Sequence, residues 1–133
     1  MGMKQVLKVL SNVEEFRKLV SINEIVLVGF IGRDYATKRY MINLFQKLES
    51  RVGHLVNFAL FDIDNLPSNT TFKEDEGINT LPLIRLYLKG KNVLEQEDCF
   101  KDMQTDYYVL KLSMRNTLQQ YGIKLTLRLG LKD

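Results

Sequence analysis

Seven residues, Ile25–Ile31, constrain the fold of this chain more than any other segment. The run Ile-Val-Leu-Val-Gly-Phe-Ile is rich in β-branched residues and far shorter than the ~20 apolar residues that span a bilayer. A strand that is apolar on both sides must be buried on both faces. The segment therefore predicts the middle of a sheet that carries helices on each face, which is an α/β architecture. A chain of 133 residues with 45% hydrophobic content can close one core around such a strand. Charged residues at 26% argue against both a disordered and a membrane class.

The flanking segments supply the helices. Residues 5–10 read as a short first strand, and Ser11 with Glu14 has capping-box spacing ahead of a helix reaching about Val20. After a turn at Gly32-Arg33-Asp34, Tyr40, Leu44, Leu48 and Val52 recur every four residues. That spacing predicts a long amphipathic helix from Tyr35 to about Arg51. Residues 56–63 form a second apolar strand, so strand, helix and strand make a right-handed parallel crossover. A turn at Pro67 leads to a short helix over 69–76, with Gly77 placed for a left-handed helix end. Residues 81–88 are a strand with Pro82 at its start, where a missing amide donor is tolerated. The Lys89-Gly90-Lys91 turn makes the next strand antiparallel. Tyr107, Leu110, Met114, Leu118 and Tyr121 mark a final helix, capped by Thr105 and closed at Gly122. The order is β-α-β-α-β-α-β-β-α, without internal repeats.

Residue counts limit the chemistry. The single cysteine, Cys99, allows neither an intrachain disulfide nor a cysteine-based zinc site. The single histidine, His54, sits in an Arg-Val-Gly-His turn and reads as a surface loop residue, so no metal or other cofactor is expected. Asn69-Thr70-Thr71 matches the glycosylation pattern, but the N-terminus shows no apolar stretch followed by small residues. The expected location is cytoplasmic, with no membrane partner.

Order and spacing together resemble the thioredoxin family over residues 4–122. Val26-Leu-Val-Gly-Phe30 is similar to the family's central strand leading into its active-site turn. Phe58-Ala-Leu-Phe-Asp62-Ile-Asp64 followed by Pro67 is similar to its third strand and exit. Gly77-Ile78-Asn-Thr-Leu81-Pro82 is similar to the segment that ends in the family's cis-proline, and Gly90 to its hairpin glycine. The resemblance implies a mixed central sheet flanked by helices, with a cis bond before Pro82. It also places Tyr35 and Lys38 where the family carries its two redox cysteines, and Gly29 where it keeps a buried acid. Without a thiol at the turn there is no thiolate to attack a disulfide. Cys99 follows the fifth strand instead, and its neighbours Glu95, Glu97 and Asp98 would raise a thiol pKa. The expectation is that the chain is not an enzyme but a redox-inactive interaction, scaffold or chaperone-cofactor module. The groove implied by the family comprises Ile31, Gly32, Arg33, Asp34, Tyr35, Leu81, Pro82 and Asp98. There an extended protein partner would pair with the backbone. Weaker resemblances join Leu81 to Gly90 to phosducin-like chaperone cofactors and Gly32 to Tyr35 to a thioredoxin-like splicing family.

The C-terminal end departs from that family. Ile123, Leu125, Leu127, Leu129 and Leu131 alternate with Lys124, Thr126, Arg128 and Gly130. Period two over this length predicts an additional strand with one buried face, so residues 1–122 are one domain and 123–133 a strand extension. Its amides need partners, either on the chain's own sheet or on a second copy in a dimer. Two other functions compete. Lys38, Arg39, Lys47, Arg51, Lys124, Arg128 and Lys132 would suit nucleic-acid phosphates, against a net charge of only +3. A transferase that activates a bound thiol through the Tyr35 hydroxyl is the other.

Overall fold

The computed structural model describes residues 7–53, 55–97 and 102–123. Five strands, β1 (Lys8–Leu10), β2 (Ile25–Ile31), β3 (Asn57–Asp62), β4 (Leu83–Leu88) and β5 (Lys91–Glu97), form one sheet in the order β1-β3-β2-β4-β5. β2 lies at the centre with all seven residues buried, as its two-sided apolar run demands. It pairs parallel with β3 and antiparallel with β4, so the sheet is mixed.

Four helices cover it: α1 (Val13–Ile22), α2 (Tyr35–Val52), α3 (Phe72–Glu76) and α4 (Met103–Gln120). Alternation along the strands sends side chains into two cores. Leu27 and Ile31 of β2 join Met41, Leu44, Phe45 and Leu48 of α2 and Leu110, Met114 and Leu118 of α4. Val26, Val28 and Phe30 point the other way, into a core shared with α1 and α3. This second core is aromatic: Phe16 lies 5.4–5.7 Å from the rings of Phe30, Phe61, Phe72 and Tyr87. Phe72 explains why α3 begins there and not at Asn69. The residues before it make a turn, with the Thr70 amide donating to the Pro67 carbonyl, and only Phe72 carries apolar area into the core.

The helix starts also differ from expectation. Asn12, not Ser11, caps α1, accepting from the Glu15 amide at 2.8 Å, while the Glu15 carboxylate accepts from the Ser11 amide. The capping box is thus shifted by one residue, because Asn12 takes the extended conformation that a cap needs. At α4 the cap is Asp102, with the Thr105 amide and hydroxyl both donating to it. Those two bonds, the amide's first, hold the Asp102 carboxyl below its usual pKa. Gly77 ends α3 with φ +69, the left-handed conformation its position suggested. Gly122, φ +79, ends α4: its amide donates to Gln119 and that of Ile123 to Leu118, which caps the last carbonyls and turns Ile123 back onto the core.

Polar groups meet between α2 and α4, where Asp106 and Lys111 are buried. The Tyr40 hydroxyl donates to Asp106, joining α2 to α4. The Lys47 and Lys111 ammonium groups lie 4.8 and 4.3 Å from the Tyr107 ring centre. On the other face Arg85 of β4, only 4% exposed, donates to the Glu76 carboxylate at 2.9 Å and to its carbonyl at 2.6 Å. Its guanidinium also stands over the Phe30 ring and donates to the Tyr87 hydroxyl.

Burial is the main cause that raises the Tyr87 pKa, and the Arg85 bond only partly offsets it. The folded protein therefore holds this phenol neutral beyond the pH near 10 at which an unfolded tyrosine ionises. Stability from this group is complete below about pH 10 and is lost as pH rises through the higher folded value. Tyr87→Phe is expected to flatten the alkaline limb of a plot of urea midpoint against pH; an unchanged limb would assign that loss elsewhere.

Candidate functional site

Two connections leave the carboxyl ends of β2 and β3 toward opposite faces of the sheet. From β2 the chain passes to α2, and from β3 to α3, which packs in the other core. A crevice opens where adjacent strands diverge in this way, and in open α/β sheets ligands occupy such crevices. Gly32, Arg33 and Asp34 follow β2 at this point, and a 3-10 turn, Ile63–Asn65, follows β3.

The turns are tied together. The Arg33 amide donates to the Asp64 carboxylate at 3.0 Å. Gly32 sits so close beneath that a Cβ there would lie 2.5 Å from Asp64 Oδ2 and 3.2 Å from Leu81 Cδ1. Three separate stretches, 32–34, 63–65 and 81–82, thus meet at one sheet end. Asp34 is the N-cap residue of α2 but makes no side-chain cap bond to a helix amide; its carboxylate accepts from the Thr37 hydroxyl instead. The peptide bond between Leu81 and Pro82 is cis, and β4 starts only after it, at Leu83. The Thr80 hydroxyl donates to Glu97 at 2.7 Å, fastening this segment to the end of β5.

Tyr35 opens α2 and is 68% exposed, the most exposed large hydrophobic side chain among the described residues. Its hydroxyl accepts from Arg39 at 3.2 Å, and the same guanidinium stands 5.8 Å from the ring centre. Lys38 and Arg39 line the outer side of α2 with Tyr35, Ile42 and Asn43 in a shallow groove of about 310 Å³. Of the basic residues considered for phosphates, Arg39 and Lys47 are both engaged with aromatic rings.

The structure therefore brings together Ile31, Gly32, Arg33, Asp34, Tyr35, Leu81 and Pro82. Ile31 is fully buried in the α2 core, so it supports the turn from below and offers no contact surface. Asp98 and Cys99 lie outside the described residues, as do His54 and the tail positions Leu125, Leu127, Leu129 and Leu131. Asp64 belongs to the site although it was not singled out in the sequence. The signal for it was the Asp-Ile-Asp sequence at the exit of an apolar strand, where a carboxylate faces water at the sheet end.

Gly29, where the resemblance implied a buried acid, leaves no room for a side chain. A Cβ would lie 2.7 Å from Met41 Cε and 2.9 Å from both Leu60 Cδ2 and Phe45 Cζ. Core side chains occupy the volume that an acid would need. Among the described residues no helix is long and apolar enough to cross a membrane.

No family model matches the chain. A thioredoxin of Coprinus comatus is 26% identical over 89 residues, covering 66% of this chain and 81% of that protein. Among solved structures, Trypanosoma brucei brucei thioredoxin superimposes with a TM-score of 0.67 at 17% identity, covering 88% of this chain and 95% of that one. The oxidised thioredoxin of Plasmodium falciparum gives 0.65 at 19% identity, with 84% and 99% covered. Mitochondrial thioredoxin 3 of Saccharomyces cerevisiae gives 0.65 at 18%, with 83% and 94% covered. The fold is thioredoxin-like, a five-stranded mixed sheet flanked by helices. These comparisons also correct one expectation, that the chain is not an enzyme. The proteins it resembles are named thioredoxins, which are dithiol oxidoreductases, and a single cysteine in the sequence does not prove inactivity.

Proposed function

We propose that this thioredoxin-fold chain binds an extended polypeptide segment in the crevice between the 32–35 turn and Leu81–Pro82. One observation supports the reading: the Arg33 amide donates to Asp64, and a Cβ on Gly32 would meet both Asp64 and Leu81, so these turns lie side by side at the carboxyl ends of β2 and β3. An extended segment laid beside the backbone at Leu81 would gain affinity through main-chain hydrogen bonds. Tyr35 stands at the rim as a rigid, exposed aromatic, a residue type that anchors protein contacts with little loss of conformational entropy. The ring is already steadied by Arg39, so little further ordering is needed on binding.

The test is selection from a displayed library of random octapeptides, followed by NMR titration of the labelled chain with the selected peptide. Amide shifts are expected at Gly32, Arg33, Tyr35 and Leu81, with Tyr35→Ala weakening binding about ten-fold or more, the ~1.4 kcal/mol or more of an interface hot spot. Shifts confined to another face of the molecule would overturn the assignment.

A further inference from the structure

The strand β5 closes one side of the sheet, and among the described residues no strand pairs with its outer edge. An exposed edge of this kind is a template for one more strand. The chain leaves α4 beside it. Ile123 packs on the α2–α4 core and lines a cavity of about 350 Å³ with Glu24, Leu88, Lys91, Val93 and Tyr121 at the start of β5. Residues 124–131 then continue the apolar–polar alternation that begins at Ile123.

The hand of the connection decides which β5 edge this segment can use. β5 is antiparallel to β4, and β4 to β2, so β5 runs in the same direction as β2. The β2–α2–β3 crossover passes over the α2 face toward the β1 side of the sheet. A strand laid from the end of α4 along the outer edge of its own β5 would also be parallel. It would cross the same face in the opposite direction, because α4 packs beside α2. Its hand would be the reverse of the β2–α2–β3 unit. Parallel crossovers are right-handed in about 98% of cases, so that connection would be left-handed. The other free edge, β1, lies four strands away. An edge on a second chain carries no such restriction.

The faces also match in charge. Glu95 and Glu97 stand opposite Arg85 and Leu83 on the α1–α3 face of β5, whereas Leu94 stands opposite Leu86 on the α2–α4 face. A strand that turned Leu125, Leu127 and Leu129 toward the α2–α4 face would set Lys124 and Arg128 beside Glu95 and Glu97.

We infer that residues 124–131 of one copy add as a sixth strand to the β5 edge of a second copy, each chain lending its strand to the other in a two-fold dimer. Both partners then use the same pair of surfaces, which closes the assembly.

Sedimentation of the full chain is expected to give twice the 15.5 kDa chain mass, and a chain ending at Ile123 a single-chain mass. A paired charge reversal separates exchange from self-pairing. Lys124→Glu with Arg128→Glu sets acidic strands against acidic edges, and Glu95→Lys with Glu97→Lys sets basic against basic. Each double variant alone is expected to dimerise about ten-fold or more weakly. Mixed together, they are expected to form a heterodimer, in which both exchanged strands meet an edge of opposite charge. A full chain that sediments as a monomer, a dimer that survives truncation at Ile123, or a mixture that forms no heterodimer would each overturn the assignment.

Discussion

Gly29→Asp is expected to abolish the fold or to cost more than about 4 kcal/mol, against a total stability of about 5–15 kcal/mol for a domain of this kind. Two costs add. The Cβ alone would enter the space of Met41, Leu60 and Phe45, all three side chains fully buried. Overpacking of this order costs about 1–3 kcal/mol, since the neighbours must leave their rotamers or the backbone must shift. The carboxyl then has apolar groups around it, and an unpartnered polar group in such a place costs several kcal/mol more. Gly29→Ala isolates the first cost and should lose about 1–3 kcal/mol. Urea denaturation of both variants is the measurement. A Gly29→Asp protein within about 1 kcal/mol of the parent would show that the core repacks to house an acid, contrary to the contacts around Gly29.

Arg85→Ala is expected to lose about 3–5 kcal/mol, the range for removing one partner of a buried ion pair. The Arg85 guanidinium holds both the Glu76 side chain and the carbonyl that ends α3, and it reaches Tyr87 and Phe30 in the same core. Its Nε lies 3.5 Å from the Glu95 carboxylate, an ion-pair contact outside hydrogen-bonding geometry. Burial opposes the charge, but Tyr87, Glu95 and Glu76 outweigh it and keep the arginine pKa raised. Loss of the side chain strands the α3 carbonyl and leaves a cavity beside Phe30. Arg85→Met fills that cavity but, like alanine, leaves Glu76 and the α3 carbonyl without their donor, so it should recover only the packing part of the loss, about 1–2 kcal/mol. Equal midpoints for the alanine and methionine variants would mean that the charge contacts, and not the packing, account for the effect.

The two predictions rest on different kinds of legibility. That β2 is central could be read directly, because seven apolar residues in a row have no solvated face in any sheet. The long helices were legible for the same reason: four-residue spacing at Tyr40, Leu44 and Leu48 commits one side to a core. The glycines at 77 and 122 marked their helix ends because a left-handed residue is costly for other side chains. The resemblance supplied the groove residues, and the sheet order then explained why 32–34 and 81–82 meet.

Other features needed the third dimension. Nothing local distinguishes Ser11 from Asn12 as a cap, since both can accept the bond. The choice follows from which residue is extended, and Phe16 and Val20 set that by docking α1 in the core. Asp64 is 31 residues from the amide of Arg33, and Arg85 is 9 from Glu76. Their pairing is invisible until the crossovers bring the chain back. Arg85 within Leu-Ile-Arg-Leu-Tyr-Leu reads as one polar residue on a strand, and only the position of α3 makes it a buried hub.

Local pattern settled the central strand and the two long helices, because burial of one face or two is written in the spacing of apolar residues. The tertiary structure alone decided which turns lie side by side and which charges share a core. Those depend on sheet order and on the hand of the crossovers, and contacts between distant parts of a chain leave no spacing to read.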